Sequence, residues 1–193
     1  MLSPSVTTLL QDARGGSPEA LNRLLEQCGP RLLSLIRLRM GSGLRGRMES
    51  GDLLNATLMR AFRSFDSLEA EHTPSLMAWL SRIAESEIRD QVDRAHALRR
   101  DAAREVPLDS GAGELAASIR SQTSRLLLSE ASSKLEAAIE QLSDEHREIV
   151  LLRKFEELGF REIGERMGRS PDACRMLLAR AMTALTLSMR EPA

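Results

Sequence analysis

Arginines placed around a glycine turn are the residues of this chain best suited to act on another molecule. In the stretch Phe160-Arg161-Glu162-Ile163-Gly164-Glu165-Arg166-Met167-Gly168-Arg169-Ser170-Pro171-Asp172-Ala173-Cys174-Arg175, a short helix is expected to turn Ile163 and Met167 inward, with Gly164 small enough for close approach. A glycine-containing turn follows, after which Ser170 caps and Pro171 opens a second helix, where its missing N–H costs nothing. This is the grammar of a helix-turn-helix. Such a motif lays its second helix in the DNA major groove, the first residues of that helix reaching base edges while flanking guanidinium groups hold phosphates. Arg169, Arg175 and Arg180 suit those roles. Along the second helix Cys174, Leu178, Ala181 and Leu185 are expected to face the core, leaving Asp172, Ala173, Arg175, Met176, Ala179 and Arg180 toward solvent or DNA.

The chemistry of bond-making finds no comparable constellation. His72, His96 and His146 are scattered, without a carboxylate or nucleophile at motif spacing, and Cys28 and Cys174 lie far apart with no metal-ligand pattern. No catalytic residue, metal or cofactor is therefore expected, and the chain does not read as an enzyme. Cys174 and Trp79 sit at helical spacing and read as packing residues. The formal net charge of -1 gives no global attraction to nucleic acid, so binding must come from local clustering of the 27 basic residues. All but Lys134 and Lys154 are arginine, whose fork suits phosphates, base edges and acidic surfaces.

These arginines need a scaffold, and composition says what kind. Aromatic residues make up 3% and tyrosine is absent, whereas Leu, Ala, Arg, Glu and Met abound, so the fold is expected to be all-α. Ser17-Pro18 starts one helix, with Leu21, Leu24, Leu25 and Cys28 in phase, an interruption at Gly29-Pro30, then Leu32, Leu33, Leu35, Ile36 and Met40, and a basic loop from Gly41 to Gly46. A second amphipathic helix runs from Asp52 through Leu58, Phe62 and Phe65, and a third from Leu76 through Val92 into an arginine-bearing end. The pattern fails from Glu105 to about Gln122, around Pro107, Asp109 and Gly111-Ala112-Gly113. Two small helical domains, 15–104 and 123–189, are thus expected on either side of a flexible linker at 105–122, with the helix-turn-helix in the second. Ser143 caps a further helix there. No apolar run is long enough to span a membrane, and the first residues lack the apolar run and basic flank of a leader, so a cytoplasmic protein is expected.

Three segments together resemble one family, the extracytoplasmic-function sigma factors of bacterial RNA polymerase. The segment from Glu140-Gln141-Leu142-Ser143-Asp144-Glu145 through Arg180-Ala181 is similar to the family's C-terminal domain, which binds the −35 promoter element. Asp52-Leu53-Leu54-Asn55-Ala56-Thr57-Leu58-Met59-Arg60-Ala61-Phe62 resembles its core-polymerase-binding helix. Trp79-Leu80-Ser81-Arg82-Ile83-Ala84, with Asp90 and Arg94, resembles the helix that opens and reads the −10 element. The resemblance implies polymerase contacts at Asp52, Leu53, Leu54, Asn55, Leu58, Met59 and Arg60, −10 contacts at Ser86, Arg89, Asp90 and Arg94, and −35 contacts at Arg169, Ser170, Ala173, Arg175, Met176 and Arg180. It implies core RNA polymerase and promoter DNA as partners, and admits an anti-sigma factor. Departures are local: Asn55-Ala56 stand where the family has Gln-Glu, Ser86 where it has Asn, and Ala173, Met176 and Leu177 where it has threonine, a small polar residue and a basic one. Two other readings fit a helix-turn-helix on a neutral helical protein. One is a stand-alone regulator that never joins polymerase; the other is a protein-interaction adaptor, suggested by Met176 and Leu177 on the second helix.

Overall fold

Good helix formers held in phase over long stretches give helices and nothing else among the residues that the computed structural model describes, 5–46, 48–65, 73–100 and 130–190. The expected linker, 105–122, lies outside them. The chain starts with α1 (Val6–Arg14), capped by Ser5, whose hydroxyl accepts from the Thr8 N–H at 3.2 Å. Leu9, Leu10 and Ala13 bury α1 against α2 (Pro18–Arg45). The expected domain start at residue 15 is therefore late by one helix, because a stripe of three apolar positions is too short to stand out as periodic.

Ser17 caps α2 as expected, accepting from the Ala20 N–H at 3.2 Å, with Pro18 in the first turn. The helix does not break at Gly29-Pro30. Pro30 stands on the exposed side, so the helix bond that proline removes is lost where water can replace it, and helical structure continues. The basic loop expected from Gly41 is likewise a kink: Gly41 has φ +63°, a left-handed conformation glycine adopts without strain, and helical residues resume as far as Arg45. Leu24, Leu32, Leu35 and Ile36 of α2 are fully buried against α3 (Ser50–Arg63) and α4 (Thr73–Arg100), which also pack on each other.

The C-terminal half comprises α5 (Glu130–Glu140), α6 (Asp144–Val150), a π-helical turn at Leu151–Phe155, α7 (Phe160–Met167) and α8 (Pro171–Ser188). Ser143 caps α6. Ile139, Ile149, Val150, Ile163, Cys174 and Ala181 are buried together with Leu142, Leu151 and Leu152, and α8 packs on both α6 and α7.

The two halves meet through charge. Along α2, Arg31 pairs with Glu157 and donates to the Lys154 carbonyl at 2.5 Å, Ser34 donates to Glu136 at 2.7 Å beside Arg37, and Arg45 pairs with Glu140. Arg39 pairs with Glu148 and reaches Glu156 at 3.0 Å, with its Nε 3.3 Å from Glu85. Burial pulls the Arg39 guanidinium toward deprotonation, but the carboxylates of Glu148, Glu85 and Glu156 more than offset it, so it is held firmly charged. Glu156 is fully buried: one carboxylate oxygen accepts from Arg39 and, at 2.8 Å, from Ser81 of α4, while the other accepts from Arg166 of α7 at 2.7 Å.

Candidate nucleic-acid interface

The turn between α7 and α8 is built backward from glycine. Glu162 accepts from the Gly159 N–H at 2.8 Å and fixes the start of α7, whose Ile163 is fully buried. Gly168 ends the helix in the left-handed region at φ +65°. The Arg169 N–H then folds back onto the Gly164 carbonyl at 2.9 Å. A Cβ at Gly164 would stand 2.5 Å from the Arg169 carbonyl oxygen, so the close crossing of turn and helix needs glycine at this position. Ser170 accepts from the Ala173 N–H at 3.2 Å and Pro171 begins α8, as the spacing predicted.

On α8, Cys174, Leu177, Ala181 and Leu185 are buried, while Leu178 is only half-buried. Leu177 is thus a core residue, contrary to its placement on the outer face, and it neither replaces a DNA contact nor supports an adaptor reading. The outer face carries Asp172, Arg175, Met176, Ala179, Arg180 and Thr183, with Met176 at 58% exposure and Ala173 half-buried at its edge. Arg175 pairs with Asp172, and its guanidinium lies 5.1 Å from the centre of the Phe160 ring, as does that of Arg153. Arg169 pairs with Glu145 at 2.5 Å. Arg180 is exposed and forms no ion pair among the described residues. Exposed pairs of this sort contribute less than about 1 kcal/mol, so Arg175 and Arg169 are pre-oriented yet free to exchange a carboxylate for a phosphate or a base edge.

On α3 the candidate surface divides. Leu53, Leu54 and Leu58 are buried to 3%, 0% and 3% exposure and spend their side chains on the core, which corrects their assignment as polymerase contacts. Asp52 and Arg60 are exposed, Asn55, Ala56 and Met59 half-buried. Phe62, 37% exposed, lies beside them and was not among the expected contacts, although its place one turn beyond Met59 on an otherwise charged face could have pointed to it. Arg60 donates to Glu87 at 2.9 Å and lies 3.3 Å from Asp90, which joins one expected polymerase contact to one expected −10 contact and fastens α3 to α4. The hydrogen bond to Glu87 is the main reason its guanidinium is held charged.

On α4, Arg89 and Arg94 are exposed, Ser86 and Asp90 half-buried. Arg82, exposed and also missed, shares a face with Ser86 and Arg89 at the i, i+4, i+7 spacing of a helix. Trp79 is half-buried and packs against the core.

Residues 24–98 match the model of Sigma-70 region 2, and residues 132–185 that of Sigma-70, region 4. The chain is 30% identical over 168 residues to the RNA polymerase sigma factor CarQ of Myxococcus xanthus, covering 84% of this chain and 85% of that one. It is 26% identical over 183 residues to the ECF RNA polymerase sigma factor BldN of Streptomyces coelicolor, covering 95% of this chain and 65% of that one. Two helical halves in this order, the second carrying a helix-turn-helix, with these matches across both, place the chain in the extracytoplasmic-function family of RNA polymerase sigma factors, proteins that direct transcription initiation.

Proposed function

We propose that the two halves divide promoter recognition between them. The C-terminal half reads the −35 element through Arg169, Ser170, Ala173, Arg175, Met176 and Arg180, while α4 engages the −10 element through Arg82, Ser86, Arg89, Asp90 and Arg94. The face of α3 formed by Asp52, Asn55, Met59, Arg60 and Phe62 docks on core RNA polymerase, which does the chemistry, and work at the chromosome places the protein in the cytoplasm. The observation that carries this reading is the outer face of α8, where arginines and an exposed methionine stand on a helix whose first turn is fixed by Ser170, Pro171 and the Gly164 crossing. An anti-sigma factor that blocked polymerase would have to cover the Met59 and Phe62 patch.

Arg175→Ala is expected to weaken binding to −35 duplex by roughly 1–3 kcal/mol and to relax preference at one base pair. Competition binding across single-base variants of the site checks this, and an equal loss on every sequence would reduce Arg175 to a phosphate contact.

The docking face is tested with Met59→Asp and Phe62→Asp, positions whose side chains reach the surface. Both variants should keep wild-type helicity and thermal stability but lose core binding and run-off transcription. Binding of core polymerase at wild-type affinity would remove α3 from the docking surface. Leu58→Asp does not serve this purpose, because a charge at a buried position unfolds the helix it was meant to report on.

A further inference from the structure

The charged junction between the halves follows one rule. Arginine and serine donors come from α2 and α4: Arg31, Ser34, Arg37, Arg39, Arg45 and Ser81. Their carboxylate partners Glu136, Glu140, Glu148, Glu156 and Glu157 come from the C-terminal half, about a hundred residues or more away along the chain for every α2 pair. The arginine row of α2 is an interaction surface fitted to an acidic partner, and in the free protein the occupant is this chain's own C-terminal half.

Size shows why that occupancy matters. A compact chain of this length has a radius of gyration near 16 Å, so it is about 40 Å across. Promoter elements centred at −10 and −35 are about 25 base pairs apart, or about 85 Å of duplex at roughly 3.4 Å per pair. A closed body cannot touch both.

We propose that this junction is a latch: the free protein is held closed by the acidic face on the arginine row, and it must unlatch for its halves to reach the two promoter elements. The spanning step rests on the division of labour proposed above; the latch does not. Ion pairs suit a reversible closure, because when they part each charge regains water or a new partner, so a partly buried pair sits close to energetic balance. Docking of one half on polymerase then selects the open form, and the closed population subtracts from the apparent affinity for polymerase.

Energy transfer between dyes on opposite halves reads the latch directly. Gln11→Cys on α1 and Leu187→Cys at the end of α8 place both labels on exposed positions. The native thiols compete little, since Cys28 and Cys174 are buried and burial pushes Cys28 up to about 11. The labelled protein should show one high-transfer population. Glu136→Gln, Glu140→Gln and Glu157→Gln combined should abolish it, raise the solution-scattering radius, and tighten apparent core binding several-fold. Glu156 is left intact in that variant because it also holds Arg166 within its own half.

Should the triple variant unfold, charge exchange decides: Arg37→Glu alone should open the protein, and Arg37→Glu with Glu136→Arg should close it again. Unchanged transfer in folded variants, or low transfer in the unsubstituted protein, overturns the latch. Core polymerase with promoter DNA should convert the unsubstituted protein to low transfer. If substitutions open it but polymerase and promoter do not, the latch stands and the spanning of two elements by two halves falls.

Discussion

Gly164→Ala is expected to destabilise the C-terminal half by roughly 2–3 kcal/mol, near the upper end of what overpacking a close contact usually costs. The added Cβ would meet the Arg169 carbonyl oxygen at 2.5 Å and approach Pro171 N at 3.6 Å, so the obstacle is backbone on the far side of the turn and no side chain can rotate away to relieve it. Relief requires α7 and the start of α8 to separate, which breaks the bond from the Arg169 N–H to the Gly164 carbonyl and tilts the first turn of α8. Urea unfolding should therefore show a lower midpoint, and −35 binding should fall further than the unfolded fraction explains, since Ser170 and Arg175 are displaced even in folded molecules. Gly43→Ala provides the control: its Cβ meets nothing within 4 Å, so its stability should match or exceed wild type by up to about 1 kcal/mol. A Gly164→Ala protein as stable as wild type would show that the turn yields without cost.

The other large effect is expected at Glu156. Removing its carboxylate as Glu156→Ala strips Arg166 of the ion pair that ties α7 to the π-helical turn, and leaves Arg39 and Ser81 without the same acceptor. A buried pair broken from one side costs about 3–5 kcal/mol; with Arg39 and Arg166 partly open to water, the lower figure of about 3 kcal/mol is expected. Glu156→Gln should cost less, as the amide oxygen can still accept while the charge is lost. Calorimetric or urea unfolding of both variants beside wild type checks the order. Equal stability of Glu156→Ala and wild type would mean that water satisfies these guanidinium groups as well as the carboxylate does.

What could be read from the sequence was whatever is decided within a turn or two of helix. Ser17-Pro18, Ser143-Asp144 and Ser170-Pro171 each announce a helix start through the cap's own hydroxyl, and all three starts stand where expected. Gly29-Pro30 misled because a proline's effect depends on which side of the helix faces water, a property of the packed protein. Leu53, Leu54 and Leu58 misled for the complementary reason: α3 is covered by both α2 and α4, so its apolar stripe is wider than one partner would demand and leaves no leucine for a surface. Leu177 was displaced from the core face by a one-residue difference in phase, Leu178 taking the half-buried place beside it. The pairing of α2 arginines with glutamates of the C-terminal half was illegible altogether. Charges scattered through a neutral chain carry no mark of which distant charge they will meet.

The π-helical turn at Leu151–Phe155 gives Glu156 its place by a means that can be stated in terms of chain length alone. Its defining bond, from the Glu156 N–H to the Leu151 carbonyl at 3.0 Å, encloses one residue more than an α-turn does. It is equivalent to a one-residue insertion in the helix that begins at Asp144. Deleting that residue would let the helix run on regularly and turn everything beyond it by about 100°. The glutamate carboxylate would then face away from Arg39 and Ser81 with no residue type changed at the junction. The coupling of the two halves is accordingly exposed to a kind of genetic change, the in-frame loss of one codon, that a comparison of aligned residue identities around Glu156 would not register.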